Sequence, residues 1–157
     1  MQPDAPICRW QVDGVTVDVM PTDEKILGFA NRWYPMCVTS AEPLALPSGT
    51  PVRVILAPVF LATKLEAFHG RGAGDYLFSH DLGDILSVVD GRESLIDECR
   101  NMPPDLQVYL SAQISILLRD RRFIDALPGH LPSDSVGQSR LPDLEIKLRH
   151  IADLAKS

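Results

Sequence analysis

A chain of 157 residues, 45% hydrophobic and 23% charged, is long enough to bury a core without metals or disulfides to hold it together. A formal net charge of −6 gives no support for a basic nucleic-acid groove, and Cys8, Cys37 and Cys99, odd in number and without CxxC spacing, indicate neither a disulfide framework nor a thiolate zinc site. Met1 to Pro6 lacks the cationic and apolar regions of a signal peptide, and no apolar run approaches the roughly 20 residues of a membrane span, so a cytoplasmic protein with no membrane partner is expected.

The first predicted element is a β-hairpin, Ile7 to Val12 and Val15 to Met20, joined by Asp13-Gly14, a dipeptide that tolerates the positive φ angles of a type I′ turn. Alternation places Val15, Val17 and Val19 on one face, read as core, and Asp18 on the other. Asp23 to Ala30 reads as a short helix with Thr22 as its N-cap, and Pro35 is expected to limit helix beyond it. Glu42 to Leu46 and Val52 to Leu56, around Pro47-Ser48-Gly49-Thr50-Pro51, predict a second hairpin.

From Pro58 the apolar spacing becomes helical and should end near Gly70-Arg71-Gly72-Ala73-Gly74, whose glycines permit a left-handed cap and a mobile loop. A second helix capped by Ser79 should bury Leu82, Ile85, Leu86 and Val89. Further helices are predicted from about Glu93 to Arg100, Pro104 to Asp120 and Pro142 to Lys156, with residues 128–139 as a polar linker. Strands first and helices after predict an α+β fold, a small, mostly antiparallel sheet from two hairpins followed by a helical part. The expected organisation is a core over residues 1–91 and a helical subdomain over 92–157, joined in one compact unit.

The residues that could carry chemistry fall in three segments. Asp18, on an otherwise apolar strand, is either a ligand for a hard cation such as magnesium or an exposed, salt-bridged strand residue. Lys64 and Arg71, seven apart, share one side of a helix and could grip a triphosphate; the alternative is a solvated face paired with Glu66 or Asp75. Asp81 and Asp84, three apart, could orient Lys64 and Arg71 or accept a proton, or could simply suit the first turn of their helix. Arg119, Arg121 and Arg122 read as a solvated helix end, and Trp10, Trp33 and Tyr34 as core or rim packing.

The ordered series Asp18, Lys64, Arg71, then Asp81-Leu82-Gly83-Asp84 resembles the AbiEii-type nucleotidyltransferases of the polymerase-β-like superfamily, over about Ile7 to Leu131. The resemblance implies transfer of a nucleoside monophosphate from a nucleoside triphosphate to a hydroxyl on RNA, protein or a small molecule. Magnesium would be the cofactor and an antitoxin a possible partner. It implies that Asp18 is the strand carboxylate that helps to hold magnesium, that Lys64, Arg71 and Asp84 line the nucleotide pocket, and that Asp81 serves as proton acceptor or pocket organiser. The family's first two carboxylates lie in a segment that should precede Asp18, where only seventeen residues stand, without a Gly-Ser turn or an Asp-x-Asp or Asp-x-Glu pair. Weak or no turnover is therefore expected of a domain truncated in this way. The competing expectation is a non-catalytic scaffold that self-associates through an uncovered sheet, and a homodimer is expected under either.

Overall fold

The computed structural model describes residues 8–28, 30–71 and 74–156. Its architecture is α+β, with two separate antiparallel hairpins followed by a helical body. Strands β1 (Arg9–Val12) and β2 (Val15–Asp18) turn at Asp13 and Gly14, with φ of 49° and 80°, the two positive values that a type I′ turn requires. Ile7, the expected start of β1, lies outside the described residues. A bond from Val19 N to Cys8 O, 2.8 Å, carries the pairing one step further.

Helix α1 (Glu24–Leu27) is shorter than expected, and its N-cap is Asp23, not Thr22: the Asp23 carboxylate accepts from Lys25 N at 2.9 Å. Gly28, at φ 77°, closes it in the left-handed conformation. Helix α2 (Tyr34–Thr39) was not expected; Pro35 sits in its first turn, where a missing N–H costs nothing, so this proline starts a helix rather than ending one. Strands β3 (Glu42–Ala45) and β4 (Pro51–Val54) form the second hairpin.

The helical body comprises α3 (Ala57–Arg71), α4 (His80–Gly91), α5 (Leu95–Arg100), α6 (Pro104–Arg119), α7 (Arg121–Ala126), α8 (Ser135–Gln138) and α9 (Leu141–Ala152). A 3-10 turn at Leu127–His130 follows α7, and another at Leu154–Lys156 follows α9. Helix α6 lies against α9 and α3, and α4 against α3 and α9. Their apolar stripes supply the core: Leu61, Leu65 and Phe68 from α3, Leu82, Ile85 and Val89 from α4, Leu106, Leu110 and Ile114 from α6, Leu144, Leu148 and Ile151 from α9. One cluster of buried side chains runs from Trp33 to Leu154, across the 91/92 position.

Two expectations need correction. Val15, Val17 and Val19 are not core; they are exposed, because among the described residues no helix or sheet packs closely against the hairpin's apolar side. Residues 128–139 are not a plain linker either, since they hold the 3-10 turn and α8, whose N-cap Asp134 accepts from Gly137 N at 2.7 Å.

Candidate functional site

The candidate site is a cleft of about 520 Å³ between the β1–β2 hairpin and the junction of α3 with α4, lined by Arg9, Asp18, Arg71, Asp75, Phe78, Ser79, His80 and Asp81. That volume is in the range of small-molecule sites. Hairpin register explains one wall. Arg9 opposes Asp18 and Gln11 opposes Thr16, which puts the four polar side chains on one face, while Trp10 opposes Val17 and Val12 opposes Val15 on the other. The polar face therefore borders the cleft and the apolar face turns away.

On that wall the Arg9 guanidinium grips Asp18 through both carboxylate oxygens, Nε to Oδ1 and Nη2 to Oδ2, each at 2.8 Å. These bonds hold the exposed Asp18 carboxyl below the usual aspartate range and raise Arg9 in turn. Asp18 is thus salt-bridged, and through Arg9, a residue that sequence reasoning passed over because the register that pairs positions 9 and 18 is a property of the folded hairpin.

The opposite wall is built from two helix ends. Ser79 caps α4 by accepting from Leu82 N, which sets Asp81 in the first turn, and α3 carries Lys64 and Arg71 alongside. Arg71 donates from Nε to Asp81 Oδ2 at 2.8 Å and from Nη2 to Oδ1 at 2.9 Å; Lys64 Nζ reaches Asp81 Oδ1 at 3.2 Å and Asp84 Oδ2 at 2.6 Å. Helix spacing alone placed these four residues correctly as two pairs, and the structure brings the pairs together. The partners are not Glu66 and Asp75: Glu66 accepts from Tyr109 OH at 2.8 Å and faces Arg32, and Asp75 accepts from Phe78 N at 2.9 Å.

Asp81 is buried, and burial pushes its carboxyl up, but Arg71 and Lys64 outweigh that and hold it below the usual range. Burial likewise pulls Lys64 down while Asp84 and Asp81 more than restore it, so its ammonium is raised. A carboxylate clamped between two cations is a poor proton acceptor and a good orienting group, so the arrangement favours the organising role for Asp81. Tyr34 of α2, read from sequence as packing, stands close enough for the charges of Arg71 and Lys64 to act on its phenol, whose titration burial raises.

Between α3 and α4, Asp75, Phe78 and Ser79 complete the lining; Gly72 and Ala73 lie outside the described residues. Gly74, at φ 93°, leads into a segment that is fastened to the helical body. Tyr76 OH donates to Asp120 Oδ2 at 3.0 Å, His130 Nε2 donates to the Tyr76 carbonyl at 2.7 Å, and the Arg122 guanidinium lies 5.3 Å from the Tyr76 ring centre. Arg122, expected at a solvated helix end, is partnered by Asp120 at 2.7 Å.

Among the described residues, no three His, Cys, Asp or Glu side chains converge as a metal cage, and no helix is long and apolar enough to cross a membrane. Two of the three carboxylates of the cleft, Asp18 and Asp81, already have cationic partners, and Asp75 accepts from Phe78 N, an arrangement that disfavours a bare divalent ion. Comparison with known protein families, with characterised proteins and with solved structures finds no match for this chain.

Proposed function

We propose that the cleft binds a nucleoside triphosphate together with its divalent cation, in the manner of a nucleotidyltransferase. The observation that carries this reading is Arg71, held by the buried Asp81 at one wall of a cleft whose other wall bears Asp18 and Arg9. Apart from His80, the lining carries two cationic and three anionic side chains, Arg9 and Arg71 against Asp18, Asp75 and Asp81. That balance repels a bare polyanion and suits a polyanion that brings its own cation. Arg71 and Lys64 would neutralise the phosphates, Asp18 would take the magnesium, and Asp84 would steady Lys64. The reaction class is attack of an acceptor hydroxyl oxygen on the α-phosphorus with loss of pyrophosphate, the acceptor being RNA, a protein or a small molecule. Within these 157 residues Asp18 is the one carboxylate assigned to the metal, so binding with little turnover is the expected behaviour.

Titration calorimetry with ATP, GTP, CTP and UTP in magnesium tests this. Heat is expected with each nucleotide and is expected to vanish when EDTA removes the cation. Losing one charge-assisted contact, in Arg71→Ala or Lys64→Ala, should weaken binding about tenfold or more. No heat with any of the four nucleotides overturns the reading.

A second reading, self-association of a non-catalytic module into a homodimer, is favoured by one observation. The apolar hairpin face formed by Trp10, Val12, Val15 and Val17 is exposed. The two readings are compatible, because the cleft and that face lie on opposite sides of the hairpin.

A further inference from the structure

We infer that Phe78 is the stacking platform for the nucleobase of the bound nucleotide, an assignment that rests on the triphosphate reading of the same cleft and adds to it how the base is held. Phe78 lines the cleft beside Arg71, Ser79 and His80, yet it is 77% exposed, the most exposed of the large apolar side chains among the described residues. Such exposure is ordinary on a loose loop, but this loop is anchored. Asp75 accepts from Phe78 N, Tyr76 is bonded to Asp120 through its hydroxyl and to His130 through its carbonyl, and Ser79 caps α4 immediately after. The Tyr76 ring packs against Phe68 and Phe123, centroids 5.9 Å away in each case. Residues 75–79 therefore pack one half-buried aromatic ring against the core and leave the other, two positions later, exposed at the cleft.

A backbone held in that way keeps the ring's point of attachment at the cleft, so less of the segment has to be ordered when a ligand arrives and the ring offers it a flat π-surface. The cleft lining is otherwise almost wholly charged or polar, which suits phosphates and cation but offers nothing to a base. A nucleoside triphosphate has one charged end and one flat aromatic end, and Arg71 with Phe78 presents complements to both. Stacking accepts every base because each has a π-face, so weak selectivity follows, with purines a few-fold ahead of pyrimidines through their larger surface.

The test compares each magnesium nucleotide with magnesium tripolyphosphate, which has the charged end and no base, by calorimetry on the full chain. Phe78→Ala should weaken all four nucleotides by about 5- to 100-fold and leave tripolyphosphate unchanged. Phe78→Trp should restore affinity and give fluorescence quenching on nucleotide binding. Because the side chain is exposed, neither substitution threatens the fold, which circular dichroism checks. If the nucleotides bind and Phe78→Ala binds them equally well, the stacking assignment is wrong while the triphosphate reading stands. Equal weakening of tripolyphosphate also overturns it, because Phe78 would then be shaping the phosphate site. If the unaltered chain binds neither nucleotide nor tripolyphosphate, the reading beneath fails and the assignment falls with it.

Discussion

Asp81 illustrates how much of the site turns on single side chains. Its carboxyl is shielded from water and satisfied by three charge-assisted bonds, two from Arg71 and one from Lys64. Burial works against the charged form, the two cations win, and the folded chain therefore holds the proton less tightly than the unfolded one. As pH falls, the unfolded chain protonates first, near the ordinary aspartate value of about 4. The contribution of Asp81 is thus complete above that value and fades as pH drops through its lower folded value. Asp81→Asn keeps the shape and removes the charge, and it should cost about 1 to 3 kcal/mol in urea unfolding at neutral pH, a figure held down because Arg71 is largely exposed and can rehydrate. The gap to the unaltered chain should close below about pH 4. A gap that stays constant down to pH 3 would mean that packing, and not charge, makes the contribution. At this scale the sequence reveals which residues share a helix face, since that depends only on spacing; it does not reveal which charge meets which. Glu66, two positions from Lys64, goes to Tyr109, 43 residues away, because α3 packs on α6.

Element by element, legibility follows length and the presence of a neighbour. Helices α3, α4, α6 and α9 carry apolar stripes several turns long, and each stripe meets another helix, so periodicity and burial agree. Helices α2, α7 and α8, of six, six and four residues, are too short for a period to emerge. Tertiary contacts hold them, and α8 is an instance that glycine substitutions can probe. A Cβ on Gly137 would fall 2.4 Å from Pro132 O and 2.6 Å from Pro132 Cβ, a clash with backbone that the α8 cap cannot escape. Gly91, in the last turn of α4, has open space around it and no positive φ. Gly137→Ala should therefore destabilise by about 1 to 3 kcal/mol, whereas Gly91→Ala should be neutral or stabilise by up to about 1 kcal/mol through the smaller freedom of the unfolded chain. Opposite shifts of the thermal midpoint are the expected pair of results. A neutral Gly137→Ala would show that α8 does not keep its contact with Pro132 in solution.

On the scale of the whole molecule, the order of strands and helices indicates the α+β class, but alternation misleads about the first hairpin. A row of valines says that a strand has an apolar face; whether anything covers that face depends on the rest of the fold. Here Trp10 and Val15 are each 61% exposed, and a two-stranded hairpin without a covering layer is marginal in water. The proposed self-association would supply that layer from a second copy. Light scattering with sedimentation should then find a dimer at tens of micromolar, and Val15→Glu, at an exposed position that leaves the helical body untouched, should give a monomer with unchanged helix content whose melting midpoint, unlike that of the dimer, does not rise with protein concentration. A stable monomer of the unaltered chain at hundreds of micromolar would remove the idea. The same hairpin carries Arg9 and Asp18 on its other face, so covering one face steadies one wall of the cleft. Binding and association are then linked, and the linkage is reciprocal: a symmetric dimer carries two sites, so saturating magnesium ATP must tighten the dimer by the square of the factor by which dimerisation tightens magnesium ATP at each site. Sedimentation with and without the nucleotide measures the first factor, and calorimetry on the unaltered chain and on Val15→Glu measures the second. A first factor above one and equal to the square of the second would join the two readings in one molecule, and a dimer indifferent to nucleotide would separate them.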